Sequence, residues 1–148
     1  MQAWRFCGCP TGHIVSKPGK VFSLDDLPFP GRWFVLYKGS CHCGAVQFEV
    51  RTELKGLVRC NCSLCARRSA VMHYVAPWDF TLISGEEELA TYRFGHRSAA
   101  HHFCKVCGIF PFFLSDWGGQ QHYVVNVACL EGVDPYEQET TLIDGKSF

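Results

Sequence analysis

The sequence predicts an all-β chain of many short strands: a single domain over residues 37–148, preceded by an irregular extension over residues 1–36. Three observations carry this prediction. Val46, Phe48 and Val50 alternate with Gln47, Glu49 and Arg51, the period-two pattern of a strand with one buried face. No segment shows the periodicity of a helix longer than about two turns. The first 36 residues differ in composition, with prolines at 10, 18, 28 and 30 and glycines at 8, 12, 19 and 31, and read as mostly irregular. With 47% apolar and 14% aromatic residues, a chain of this length can supply a core without covalent staples.

The elements follow in order. The apolar run of residues 33–37 can lead as a strand into the core. Residues 57–60 and 71–75 read as strands that enter and leave a cysteine-rich turn, with one helical turn over residues 63–68. Residues 80–83 and 89–94 flank Ser84-Gly85 and read as a hairpin-like pair. Residues 99–103, 109–114 and 122–127 are further strands, the last two split by a turn at Gly118-Gly119. Phe103, Phe110, Phe112 and Phe113 are expected in the core. No repeat of solenoid length is present.

Charge narrows the function. Lysine plus arginine equals aspartate plus glutamate, 14 of each, so there is no electrostatic footprint for nucleic acid. No stretch approaches the roughly 18 apolar residues of a membrane span. Residues 1–10 contain one arginine and no apolar run, which does not read as a secretory signal. The expected compartment is the reducing cytoplasm, where stable disulfides are disfavoured. Ten cysteines then point to metal binding or redox chemistry, and their spacing decides between these.

Seven of the ten fall into three tight clusters. Cys41-His42-Cys43-Gly44 and Cys104-Lys105-Val106-Cys107-Gly108 are glycine-terminated knuckles, in which positive φ after the second cysteine lets backbone N–H groups face the sulfurs. Each knuckle supplies two ligands, and a structural zinc takes four. Together Cys41, Cys43, Cys104 and Cys107 complete one closed site. Closing the intervening loop costs roughly 3–4 kcal/mol; structural zinc contributes on the order of 10–16 kcal/mol, so the metal dominates. The alternative is free thiols in two turns.

Cys60-Asn61-Cys62-Ser63-Leu64-Cys65 supplies three sulfurs, the number typical of a catalytic zinc that keeps one position open. Three thiolates and a dication sum to −1, so such an ion is a weak generator of hydroxide. It suits a soft fourth ligand, a substrate thiol held as thiolate. Two alternatives stay open at this point. The fourth ligand could come from the chain itself, from Cys129, His73, His101, His102, Cys7 or Cys9. The motif could also be a redox dithiol, although no thioredoxin-like βαβ context surrounds it.

The stretch from Tyr37 to Phe48, with Lys38-Gly39-Ser40-Cys41-His42-Cys43-Gly44 at its centre, resembles the opening motif of the glutathione-dependent formaldehyde-activating enzyme family, which includes centromere protein V. Arg59-Cys60-Asn61-Cys62-Ser63-Leu64-Cys65 is similar to its second motif and His102-Phe103-Cys104-Lys105-Val106-Cys107-Gly108 to its third. Residues 125–134 and Asp144-Gly145-Lys146 resemble the tail of bacterial members. The resemblance implies coiled β-sheets organised around two zinc ions, one structural and one catalytic, with the ligands assigned above. It also implies a carbon–sulfur lyase that joins formaldehyde to glutathione, giving S-hydroxymethylglutathione, with Cys60, Cys62 and Cys65 as the catalytic set. The competing function is a non-catalytic zinc module that binds a partner.

Arg67 and Arg68 follow the three-cysteine cluster and are candidates to clamp a glutathione carboxylate; the plainer reading is a solvated basic turn. His101 and His102 point to opposite faces of their strand, so at most one reaches any given site. His42, between two ligands, is expected to point away from the metal. Cys129 reads as a small buried residue. Cys7-Gly8-Cys9 reads as an unligated pair, with a spare knuckle as the alternative.

Overall fold

The computed structural model describes residues 14–15, 21–22, 34–96, 98–117 and 119–147. The chain divides into two compact units, Met1–Arg32 and Trp33–Phe148. In the first, β1 (Ile14–Val15) and β2 (Val21–Phe22) pair antiparallel, regular structure inside a region whose composition predicted little. Cys7 and Cys9 lie outside the described residues.

The second unit holds two sheets. β3 (Val35–Ser40), β4 (Gln47–Thr52) and β7 (Phe80–Ser84) form the smaller, in the order β3-β4-β7. The larger uses β5 (Val58–Cys60), β6 (Met72–Val75), β8 (Leu89–Tyr92), β9 (Ala99–Cys104), β10 (Phe112–Trp117), β11 (Gln120–Asn126) and β12 (Thr141–Ile143). Its order is β12-β5-β6-β11-β10-β9-β8. Every pairing is antiparallel except β12 with β5. One six-residue helix, α1 (Ser63–Arg68), joins β5 to β6. The mostly-β class read from the period-two pattern is what the chain adopts.

The core lies between the sheets. Phe48, Val50 and Phe80 from the smaller meet Val75, Phe112 and Val125 from the larger. Phe80 stacks on Tyr123 with ring centres 3.9 Å apart and meets Phe112 edge-on at 4.7 Å, the offset and T-shaped arrangements that aromatic quadrupoles favour. Gly39 is buried over the Phe48 ring, and a Cβ there would overlap it. The larger sheet is buried on its other face as well. Met72, Phe113 and Val124 alternate with the inward residues His73, Phe112 and Val125, and pack with Phe110, Val58, Cys60 and Cys65. That second apolar layer carries the three-cysteine cluster.

Two expectations need correction. Residues 80–83 and 89–94 do not pair as a hairpin: β7 pairs with β4 and β8 with β9, in different sheets. Gly85, at φ +83° and pressed on the Ala45 backbone, starts a tight turn closed by Glu88 N–H to Gly85 O, and this turn carries the chain from one sheet to the other. The strand expected at 109–114 begins three residues later, because the Ile109 carbonyl accepts from Cys104 N–H and closes the knuckle. The Phe110 and Pro111 carbonyls bond Asn126 across to β11.

Candidate metal centres

Cys41 follows β3 of the smaller sheet, and Cys104 ends β9 of the larger. The two knuckles are closed by the same backbone pattern. Cys41 N–H bonds Val46 O and Gly44 N–H bonds Cys41 O; Cys104 N–H bonds Ile109 O and Gly108 N–H bonds Cys104 O. Gly44 and Gly108 have φ of +77° and +74°, the left-handed conformation that glycine reaches without a Cβ penalty. The Sγ atoms of Cys41, Cys43, Cys104 and Cys107 all lie within 4.8 Å of one another. The Cys41–Cys43 and Cys43–Cys104 separations are 3.5 and 3.7 Å. Four sulfurs bonded at about 2.3 Å to one tetrahedral ion stand roughly 3.8 Å apart, so the donor set fits zinc and can hold a metal ion.

Electrostatics give the same fit. The Val46 N–H donates to Cys41 Sγ at 3.3 Å. The Ala45 N–H favours the Cys43 thiolate, yet desolvation and the sulfurs of Cys41, Cys107 and Cys104 together push it up to about 12. A bond from the Ile109 N–H, working against desolvation, brings Cys107 down to about 6. Thiols this close cannot all ionise against one another; a bound dication removes that conflict.

The second centre is local in sequence. Cys60 ends β5, Cys62 caps α1 and Cys65 sits in its first turn. Their Sγ atoms also converge within 4.8 Å. Cys62 N–H donates to Cys60 Sγ and Cys65 N–H to Cys62 Sγ, each at 3.4 Å. Desolvation opposes ionisation of Cys62, but the amides of Cys65 and Leu64 lower its pKa. Cys65 is raised, first by desolvation and then by Cys62. This group too can hold a metal, with one sulfur fewer than the first.

None of the alternative fourth ligands within the described residues joins the three sulfurs. His73 points inward, its Nε2 2.5 Å from Thr52 Oγ1. Cys129 is raised to about 12 by burial, then by Cys41 and Cys107, which sets it near the first centre; its thiol donates to Phe110 O. The two histidines of β9 face opposite ways. His102 Nδ1 lies 3.0 Å from Thr91 Oγ1 and lines a cleft of about 290 Å³ with Phe80, Phe112 and Tyr123. His101 lies against Phe113, ring centres 4.7 Å apart and planes tilted by 41°, and its Nδ1 lies 3.3 Å from Arg68 Nη1.

The two arginines also diverge. Arg68 lies over the Phe110 ring, 4.2 Å from its centre, and feels the charges of Cys65 and Cys62. Arg67 turns back along its own helix and donates to Ser63 O at 2.6 Å. His42, between two sulfur donors, is exposed.

Four residues at the second centre carried no site role in the sequence reading. Tyr74 shares the outer face of β6 with Met72, and its pKa is raised by burial and then by Cys60 and Cys65. Phe110 supports Arg68. Asn61 and Gly145 bring the C-terminal segment to the cluster: Asn61 Nδ2 donates to Asp144 Oδ1 at 2.8 Å, and Gly145 packs on Cys60. The period-two pattern signalled which face Tyr74 takes. Nothing local signalled that β12 pairs with β5.

No helix among the described residues is long and apolar enough to cross a membrane. The family model of the glutathione-dependent formaldehyde-activating enzyme matches residues 36–142. A crystal structure of a Rhodobacter sphaeroides protein is similar at 40% identity and a TM-score of 0.66, covering 72% of this chain and 99% of the other. A match that spans most of the chain and all seven clustered cysteines shows that it belongs to the glutathione-dependent formaldehyde-activating enzyme family.

Proposed function

We propose that the protein is a zinc-dependent carbon–sulfur lyase of the S-(hydroxymethyl)glutathione synthase type, joining a small aldehyde, formaldehyde, to a thiol, glutathione. The observation that carries this reading is the pair of unequal cysteine groups, four sulfurs at one site and three at the other. The first, Cys41, Cys43, Cys104 and Cys107, is a complete tetrahedral set for a structural zinc. The second, Cys60, Cys62 and Cys65, leaves one position for an incoming thiol. Family membership supplies the names of both substrates.

Zinc at the second site would supply a soft Lewis acid that keeps a thiol ionised near neutral pH. In the reaction, the glutathione sulfur bonds to the aldehyde carbon, the C=O π pair moves to oxygen, and the proton given up by the thiol returns to that oxygen. The chain's own part is positioning. Bonds from the amides of Cys62 and Cys65 hold the sulfurs convergent. Arg68 sets a positive charge beside them, and Phe110, Phe113 and Met72 form an apolar backing. Arg67, exposed at the end of α1, keeps donors for a glutathione carboxylate, and Arg68 can share that contact.

The test is exchange spectroscopy on glutathione and formaldehyde with zinc-loaded protein. Faster interconversion with S-hydroxymethylglutathione is expected. An unchanged exchange rate with both sites loaded removes these substrates and leaves the non-catalytic zinc module as the function.

A further inference from the structure

We propose that Asn61 and Asp144 form a clasp that holds the C-terminal segment as a fixed wall of the three-cysteine cluster, and that this clasp sets how tightly the cluster keeps its metal. The proposal rests on reading Cys60, Cys62 and Cys65 as a metal site, but not on which reaction occurs there.

Asn61 stands between two of the sulfur donors, and its hydrogen bonds go to residues 143–146. Its N–H donates to Ile143 O at 3.2 Å. Its Nδ2 donates to Asp144 Oδ1 at 2.8 Å, and its Oδ1 accepts from Lys146 N–H at 3.0 Å. The second oxygen of Asp144 accepts from Ser147 Oγ. These bonds span more than 80 residues of sequence and continue a parallel ladder that sets Ile143 beside Cys60.

Gly145 shows what the clasp achieves. A Cβ there would lie 2.5 Å from Cys60 Sγ and 3.0 Å from Cys62 Cβ. The backbone of the segment therefore packs directly on the sulfur-bearing turn, and only glycine fits the gap. β12 is a three-residue strand at the sheet edge, with Leu142 exposed. A strand this short at a sheet edge frays unless it is tied down. Asn61 ties it at both amide atoms, and the same side chain fixes the peptide whose Cys62 N–H faces Cys60 Sγ. Asn61 is thus a positioning residue. It acts through the tail and through the turn between two donors, without touching a substrate.

The experiment uses the full chain loaded with zinc and reads two quantities. One is the affinity of the weaker-bound zinc, by competition with a chelator. The other is hydrogen exchange at the Lys146 amide. Asn61→Ala and Asn61→Asp are expected to weaken that zinc by about 10–100-fold, the usual effect of losing a group that orients metal ligands, and to expose the Lys146 amide. The tighter zinc should be unaffected. The exchanged pair N61D/D144N should recover affinity and protection, because the carboxylate moved to position 61 would accept from both the side-chain amide moved to position 144 and the Lys146 N–H. Gly145→Ala should weaken the zinc by steric contact alone. Wild-type affinity in Asn61→Ala with an exposed Lys146 amide overturns the clasp. So does an exchanged pair that regains protection without regaining affinity. A wild-type protein that binds only one zinc overturns the metal reading itself and the clasp with it.

Discussion

The guanidinium of Arg68 lies 4.2 Å from the centre of the Phe110 ring, at the edge of the three-cysteine cluster. Burial lowers its pKa while Cys65 and Cys62 oppose that shift; arginine remains charged in any such site. Three thiolates around a dication would carry a net negative charge, and Arg68 would balance it from a position set by Phe110 below and His101 beside it.

Removing that cation should loosen the metal. Arg68→Ala is expected to weaken zinc at Cys60, Cys62 and Cys65 by about tenfold or more, with the four-cysteine site unchanged. Arg68→Lys should fall between, because it keeps the charge but loses the planar stack. Chelator competition on each variant checks the order.

The two cysteine groups should differ in what their loss does. Cys104→Ser breaks a set that joins β3 of one sheet to β9 of the other. A structural zinc supplies on the order of 10–16 kcal/mol against a typical net stability of about 5–15 kcal/mol, so this variant should fail to fold. Cys62→Ser disturbs ligands contained in one six-residue stretch. It should keep its far-ultraviolet circular dichroism and thermal transition and lose one zinc and any activity. Equal unfolding of both variants would make both groups structural.

Acid sensitivity should have a component from His101. Burial, then the Arg68 charge and His102, push its pKa down to about 4 from an ordinary 6.5. Below the ordinary value the unfolded chain takes up a proton that the folded chain refuses. The unfolded state therefore binds more protons, and stability falls as pH drops from 6.5 toward about 4. Denaturant titrations at saturating zinc should show a shallower acid limb in His101→Gln than in the parent. Identical limbs would show that His101 does not titrate across this window.

Legibility followed the range of the interactions. The strand at 46–50, the single turn of helix at 63–68 and both knuckles were readable because each is set by neighbours a few residues apart. The partner of β7 was not readable: residues 80–83 have the same alternation whether they pair with β8 or with β4, and the choice lies in the turn at Gly85 and its contact with Ala45. Arg67 and Arg68 were indistinguishable as neighbours in sequence. The helix sends one back to Ser63 and the other across to Phe110.

By itself the sequence determined the mostly-β class, the grouping of seven cysteines into sets of four and three, and the family, because each is written in local spacing and residue chemistry. The tertiary structure decided what surrounds the three sulfurs. Arg68, Tyr74, Phe110 and the Asn61–Asp144 contact reach the cluster only once β6 pairs with β11 and β12 lies parallel to β5. A local motif can specify which atoms bind a metal. The charges and walls around that metal come from strands distant in the chain, whose pairing is set by burial of both faces of the larger sheet and by no short pattern of residues.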